Sequence, residues 1–126
     1  MIVADSSAWI DFFSGKDSFG AVALERGLTQ GTVLIPPIVL VEILSFPRLQ
    51  EKHAEFISLL PRLELTPGYW ERCASARKKL LTKGLKCRLG DCLIAQSCMD
   101  QDVLLISEDE DFRHFEELGL KRFKLA

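Results

Sequence analysis

The chain has 126 residues, 48% of them hydrophobic and 27% charged, and a mass of 14.2 kDa. These proportions predict one globular domain that buries about two-thirds of its surface, and they exclude a disordered chain. The formal net charge of −2 at pH 7 by itself argues against a nucleic-acid partner.

Five short apolar runs along the chain have the length and composition of β-strands. They cover residues 2–4, 33–35, 63–65, 103–106 and 122–125, and the fourth is uniformly apolar, as in a buried parallel strand. Helical spacing separates them over residues 6–13, 18–28, 37 to before 47, 53–60, 69–81 and 90–99, with Ser6 or Ser7 as the first cap. Strands that alternate with helices predict an α/β fold around a mainly parallel sheet.

The net charge conceals a strong segregation of charge along the chain. Residues 72–88 hold seven basic side chains and no acidic one, which leaves nine basic against eighteen acidic residues elsewhere. Within that remainder, residues 100–117 carry eight acids against Arg113 alone. Such asymmetry is compatible with an acidic metal-binding centre beside a basic, anion-binding surface.

Cysteine, histidine and targeting patterns exclude several other classes of protein. The four cysteines form no C-x-x-C pair and the two histidines lie far apart, which argues against a zinc site. The N-terminus lacks the basic region of a signal peptide, and the longest uncharged stretch is broken by Pro36 and Pro37, so we expect no membrane span. We interpret the cysteines as reduced packing residues of a cytoplasmic protein.

Two carboxylates occur inside apolar helical segments. Glu42 lies in a helix with apolar residues on every side. We expect such a helix to be buried, and an unpaired charge in it would cost several kcal/mol. A salt bridge, a raised pKa and a ligand role all remain open for it. Asp91 opens a helix and shares a face with Ala95 and Cys98, where it is either a first-turn acid or a ligand.

Two further acids follow predicted strands. Asp5 comes directly after the first strand, and Asp109 comes just after the fourth, so both point to the crevice where open α/β sheets bind ligands. Each has an alternative role, Asp5 as a helix cap and Asp109 as part of a solvated acidic loop. Four carboxylates that converge without a cation would repel one another. Their convergence therefore predicts Mg²⁺ or Mn²⁺, which prefer oxygen ligands.

These positions are also where a family resemblance appears. The segments IVADSSAWIDFF, VLVEIL, GDCLIAQSC and LLISEDEDF occur in the order and spacing of the PIN-domain endonucleases. The chain resembles that family over essentially its whole length, and most closely the VapC-type toxin ribonucleases of toxin–antitoxin modules. The resemblance implies a single domain over residues 1–126, with helices on both faces of a parallel sheet of order 3-2-1-4-5.

The same resemblance implies roles for individual residues. Asp5, Glu42, Asp91 and Asp109 match the family's catalytic, metal-binding acids, and Ser6 and Ser107 match its small hydroxyl positions near the metal. Cys92 stands where the family usually has Ala, and Ser107 where Thr is commoner. Asp111 is the alternative to Asp109 as the fourth ligand, although the spacing from Ser107 favours Asp109.

The resemblance further implies Mg²⁺-dependent hydrolysis of RNA, a cognate antitoxin and a homodimer. Arg72, Lys79 and Lys83 share one face of the predicted 69–81 helix and its continuation, and they either contact RNA phosphates or form a solvated face. The apolar side chains that we consider for a dimer or antitoxin surface are Leu44, Phe46, Leu49 and Phe56. We interpret Trp9, Phe12, Phe13 and Phe19 as core or subunit contact rather than as a base-stacking platform.

Three alternative functions remain open at this level. The first is a PIN-domain nuclease of RNA processing or DNA metabolism without a toxin role, which an antitoxin-like neighbouring reading frame would argue against. The second is a phosphohydrolase or phosphoacceptor domain, for which Asp5-Ser6-Ser7 is a poor match. The third is a catalytically silent module that binds metal or nucleic acid.

Overall fold

The computed structural model describes residues 1–124. The fifth predicted strand reaches Leu125, which lies outside the described residues. The central sheet is built on two short parallel strands, β1 (Ile2–Ala4) and β2 (Leu104–Ile106). Ile2 lies opposite Leu104 and Ala4 opposite Ile106.

Three single parallel bridges extend this pair to five extended segments. They join Ile2 to Val33, Ile35 to Arg62, and Leu105 to Arg122. The predicted order 3-2-1-4-5 is therefore confirmed, with every neighbouring pair parallel. The third segment pairs through Arg62, one residue before its predicted start.

Six α-helices and one 3₁₀ helix connect the extended segments in the described part of the chain. They are α1 (Ser6–Phe13), α2 (Phe19–Gln30), α3 (Pro37–Leu44), α4 (Glu51–Ser58), α5 (Tyr69–Thr82), α6 (Leu89–Gln101) and the 3₁₀ helix Glu110–Leu118. Each predicted α-helix is present, and no end differs from its predicted position by more than two residues. All three side chains of β1 are buried although neighbours point to opposite faces, so both faces of the sheet are covered.

The 3₁₀ helix replaces the acidic loop considered for this segment. Asp109 caps it by accepting a hydrogen bond from the backbone N–H of Asp111. Phe112 and Phe115, three residues apart, both lie in the core, while Glu110 stays at the surface. A period of three residues per turn places these two rings on one side, so the segment folds onto the sheet.

Helix α3 is less buried than its composition predicts. Val39 and Ile43 are fully buried, whereas Val41 is 62% exposed and Leu44 is 43% exposed. The expectation of a helix buried on every side is wrong because α3 packs with one face only and leaves an apolar face in solvent.

The aromatic and sulfur-containing side chains are largely packing residues. Trp9 is fully buried and packs against Phe12 and Phe13, which confirms its core role. All four cysteines are free and buried, and burial raises the pKa of the Cys92 and Cys98 thiols to about 12. These two thiols therefore stay protonated at neutral pH. Within residues 1–124, no helix is long and apolar enough to cross a membrane.

Candidate metal centre

The candidate site lies at the carboxyl edge of the two central strands. Asp5 directly follows β1, and Ser107 directly follows β2. The backbone N–H of Asp5 donates to the carbonyl of Ile106 at 3.0 Å, so the two strands end side by side. Because parallel strands point the same way, the side chains that follow them meet at one edge.

Asp5 is buried and uses both carboxylate oxygens. Oδ1 accepts from the backbone N–H of Ala8 at 2.9 Å, which makes Asp5 the cap of α1 in place of the predicted Ser6 or Ser7. Oδ2 accepts from the Ser107 hydroxyl. Burial raises the pKa of Asp5, the two hydrogen bonds oppose this rise, and the nearby charges of Asp109 and Glu42 add to it.

Glu42 reaches the same edge from α3. Its Oε1 accepts from the Ser6 hydroxyl at 3.1 Å. A Cβ atom at Gly90 would lie 3.5 Å from Oε2 of Glu42, so α3 and α6 approach closely at this point. Partial burial raises the pKa of Glu42, and the Asp91 carboxylate contributes to the same rise.

Asp91 lies in the first turn of α6. Its Oδ2 is buried and has no hydrogen-bond partner within the described residues. Burial raises the pKa of Asp91, and the carboxylates of Asp109, Asp111 and Asp5 raise it further, while the Arg88 charge acts in the opposite direction. A buried carboxylate oxygen without a donor is costly unless a cation approaches it.

Asp109 and Asp111 complete the cluster. One carboxylate oxygen each from Asp91, Asp109 and Asp111 lies within 4.8 Å of the others, a separation that one ion can bridge. The backbone N–H of Asp109 donates to the Ser107 hydroxyl at 3.0 Å, which fixes the turn between the two residues. The structure thus brings both Asp109 and Asp111 within 4.8 Å of Asp91.

The donor set fits a hard divalent cation. The five acids of the cluster offer only oxygen ligands, the donors that Mg²⁺ and Mn²⁺ prefer, and no histidine belongs to it. Like charges this close repel one another unless a cation neutralises them. The unpaired oxygen of Asp91 and the close approach of the carboxylates are both compatible with a divalent cation held at this edge.

A model of the PIN domain family matches residues 2–118. The chain belongs to the PIN domain family. PIN domains are generally nucleases, and an acidic cluster of this kind is present here. Comparison with curated protein sequences found no significant match.

Solved structures similar to this PIN domain include those of VapBC2, FitAcB and FitAB. A chain of VapBC2 from Rickettsia felis, bound to a promoter DNA fragment, is 22% identical, with a TM-score of 0.74 and coverage of 98% of this chain and 100% of that one. A chain of FitAcB from Neisseria gonorrhoeae is 16% identical, with a TM-score of 0.71 and coverage of 98% and 97%. A chain of FitAB bound to the IR36 DNA fragment is 17% identical, with a TM-score of 0.68 and coverage of 98% and 94%. At these identities the likeness concerns the fold.

The basic face predicted for RNA has a different environment at each of its three residues. Arg72 forms a two-point ion pair with Asp100, at 2.8 and 2.7 Å, and also donates to the carbonyl of Pro67. Lys83 pairs with Glu117 at 3.4 Å on the surface. Lys79 is exposed. The ion pair of Arg72 favours the structural interpretation for that residue, while its RNA role stays a prediction.

Two other basic residues of the same stretch border the acidic cluster of this PIN domain. Lys86 Nζ lies 3.3 Å from Oδ2 of Asp111. Arg88 occupies the N-cap position of α6 without a side-chain capping bond, and its charge opposes the rise in the pKa of Asp91. Arg88 is near Asp91 because it directly precedes the helix that carries Asp91, whereas the contact of Lys86 with Asp111 joins distant parts of the chain.

Arg122 is a site residue that the sequence patterns did not indicate. It lies on the last extended segment and donates from Nη2 to the carbonyl of Ser107 at 2.8 Å. The predicted strand order 3-2-1-4-5 could have indicated Arg122, because it places the fifth segment beside the fourth strand. A basic side chain on that segment can reach the loop after the fourth strand.

Proposed function

We propose that this PIN domain is a divalent-metal-dependent endoribonuclease that uses Mg²⁺ or Mn²⁺ to hydrolyse RNA phosphodiester bonds. The observation that carries the proposal is the convergence of Asp91, Asp109 and Asp111, together with an Oδ2 of Asp91 that is buried and has no hydrogen-bond partner among residues 1–124. Membership of a family of nucleases supports the same reaction.

The roles of the acids follow from their environments. Asp5, Asp91 and Asp109 are the proposed metal ligands, and Asp111 lies close enough to join them. A bound Mg²⁺ lowers the pKa of a coordinated water and neutralises charge that develops on the phosphate. Glu42 reaches the site from a separate helix with a raised pKa, so we assign it to holding the metal or orienting the attacking water and accepting its proton.

The hydroxyls of Ser6 and Ser107 orient the carboxylates in this proposal. Ser6 donates to Glu42 and Ser107 donates to Asp5, so each fixes the rotamer of an acid. Ligands that are held in place by such hydrogen bonds lose little freedom when they bind an ion. The RNA phosphates are expected to approach over Lys86 and Arg88, beside the acids.

We further propose that the protein is the toxin of a toxin–antitoxin pair, acts in the cytoplasm and forms a homodimer. The similar folds found in the VapBC2 and FitAB complexes support a protein partner. Helices α3 and α4 and the residues that follow them expose apolar surface. It is formed by Leu44, Phe46 and Phe56, which are between 38% and 43% exposed, and by Leu59, which is 85% exposed. Patches of this kind mark contacts between proteins.

The test of the enzymatic proposal is cleavage of total RNA by the purified protein, with Mg²⁺ and with EDTA, followed by mapping of the new ends. Wild type should generate defined ends only with metal, and Asp91→Asn should generate none. Asp102→Asn is the matched control, because Asp102 ends the same helix in a left-handed conformation that Asn tolerates. A metal-dependent rise in Tm without any cleavage would instead identify a silent metal-binding module.

A further inference from the structure

Arg122 lies outside the acidic cluster but contacts the loop that forms it. Leu105 of β2 accepts from the backbone N–H of Phe123 at 2.8 Å and donates to the carbonyl of Lys121 at 2.9 Å. These bonds place Arg122 on the segment next to β2. Its side chain is only 10% exposed, so the guanidinium lies largely within the protein.

The guanidinium donates to the turn between β2 and the 3₁₀ helix. Nη2 lies 2.8 Å from the carbonyl oxygen of Ser107 and 3.4 Å from that of Asp109. One nitrogen therefore contacts the backbone on both sides of Glu108. Hydrogen bonds from a charged donor are stronger than neutral ones, and burial strengthens them further.

The same turn orients two of the carboxylates. The Ser107 hydroxyl donates to Oδ2 of Asp5 and accepts from the backbone N–H of Asp109 at 3.0 Å. A shift of the turn would thus displace the hydroxyl that Asp5 uses and the backbone that carries Asp109. Arg122 is connected to both acids through Ser107.

The charge of Arg122 also acts on the acidic segment. Nη1 lies 3.8 Å from Oε2 of Glu110 and 3.9 Å from Oε1 of Glu116. These contacts draw two carboxylates of the 3₁₀ helix towards the guanidinium and hold the helix against the last segment of the sheet.

We infer that Arg122 is a positioning residue for the metal centre, which sets the geometry of Asp5 and Asp109 by fixing the Ser107–Asp109 turn. The inference rests on the proposed function for its catalytic consequence. Arg122 lies beyond the residues matched by the family model, 2–118, so the family assignment gives it no role. A purely structural role would affect stability without changing the affinity of the folded protein for metal.

The experiment compares Arg122→Met with Lys121→Met. Lys121 is the neighbouring residue, and its only ion pair in the described residues is an exposed one with Asp102, so its variant controls for loss of a positive charge. Mn²⁺ binding is measured by electron paramagnetic resonance at a temperature where both variants are folded. The Kd of Arg122→Met should rise by about 10- to 100-fold, the effect of losing a residue that orients metal ligands, and that of Lys121→Met should stay unchanged.

A second readout needs no metal. The amide of Asp109 should exchange its hydrogen at least about tenfold faster in Arg122→Met, because the turn that protects it is no longer held. Amides of β1 should keep their protection, which separates a local effect from general loss of stability. Arg122→Lys keeps the positive charge but has one ammonium group in place of the two terminal nitrogens of the guanidinium. It should give a Kd for Mn²⁺ between those of wild type and Arg122→Met.

A wild-type Kd together with wild-type Asp109 exchange in Arg122→Met would overturn the inference. If Arg122→Met does not fold, the Kd for Mn²⁺ and the exchange rate of the Asp109 amide are measured on Arg122→Lys instead. Wild-type values of both in that variant would equally overturn the inference. Failure of the proposed function is distinguishable, because wild type would then not cleave RNA, while the exchange of the Asp109 amide would still report on the turn.

Discussion

Asp5 combines two roles that the sequence presented as alternatives. Oδ1 caps α1 through the backbone N–H of Ala8, and Oδ2 faces Ser107 at the edge of the sheet. One carboxylate can do both because a cap needs only one oxygen. The cap fixes the side chain, and the fixed side chain then presents its second oxygen to the site.

This double role makes the choice of substitution at Asp5 decisive. Asp5→Ala removes the cap as well as the ligand, so we expect a loss of about 0.5–2 kcal/mol in unfolding free energy together with loss of cleavage. Asp5→Asn keeps a cap of equal quality and should lose cleavage alone. Urea denaturation in EDTA, paired with an RNA cleavage assay, measures both quantities. Full activity in Asp5→Asn would contradict a metal role for this carboxylate.

The raised pKa of Asp91 should make the unfolding free energy of the metal-free protein depend on pH. The pKa of this carboxylate is raised in the folded state, so the folded state binds more protons than the unfolded state above the unfolded pKa of 3.8. The unfolding free energy in EDTA should therefore fall as the pH rises from about 4 through the raised pKa, because the folded protein must then hold an unfavourable charge.

Asp91→Asn should make this decline less steep, although the raised pKa values of Asp5 and Glu42 also contribute to it, and should raise the Tm of the metal-free protein at pH 7. Mg²⁺ should raise the Tm of wild type and leave that of the variant unchanged. Thermal melts at several pH values, with Asp102→Asn as the control, provide the measurement. If the stability of Asp91→Asn falls with rising pH as steeply as that of wild type, the buried charge of Asp91 is not the source of the pH dependence.

At the level of elements, the basic stretch divides into two parts with different surroundings. Arg72, at the start of α5, is held by Asp100, which Gln96 also contacts at 2.8 Å. Lys86 and Arg88, after the end of α5, lie beside the acidic cluster. Proximity to the acids therefore favours the second part as the surface for RNA phosphates.

Salt dependence of RNA binding distinguishes these two parts of the basic stretch. In EDTA, Lys86→Met and Arg88→Met should each lower the affinity and reduce the slope of log K against log salt by about 0.7, the value for one phosphate contact on a single strand. Arg72→Met should lower the Tm and leave the slope unchanged. Filter binding at several salt concentrations measures the slopes. If Lys86→Met and Arg88→Met both have the wild-type slope, RNA does not bind at these two residues.

The sequence predicted the α-helices and the extended segments well because their patterns are local. The 3₁₀ helix was missed because its acidic residues dominate a segment whose two buried rings recur with a period of three. Helix α3 was expected to be fully buried because its composition carries no polar face, and only packing decides which apolar face is left in solvent.

At the scale of the whole molecule, the site depends on contacts between distant parts of the chain. Asp5 and Ser107 are 102 residues apart and meet because β1 and β2 are neighbours in the sheet. The strand order predicted this meeting for Asp5 and Asp109. It did not predict the Arg122 contact, the proximity of Asp111 to Asp91 or the Arg72–Asp100 pair, since each depends on side-chain orientation that no local pattern encodes.

The proposed homodimer is testable at the same scale. Leu44→Glu adds a charge to the exposed apolar face of α3 and should convert a dimer to a monomer in sedimentation velocity. Leu81→Glu, at 46% exposure close to the 43% of Leu44 but on α5, should leave the dimer intact. A monomeric wild type at micromolar concentrations would contradict the proposed dimer, and a dimeric Leu44→Glu would exclude this face as its interface.

The central claim is that the carboxylates at the sheet edge hold a divalent cation, and anomalous diffraction from a crystal soaked in Mn²⁺ tests it most directly. We predict a single-site or paired anomalous peak within about 2.5 Å of carboxylate oxygens of Asp5, Asp91 and Asp109. The peak should be absent from crystals of Asp91→Asn. A wild-type map without a peak between these side chains, under conditions in which the protein cleaves RNA, would contradict the account.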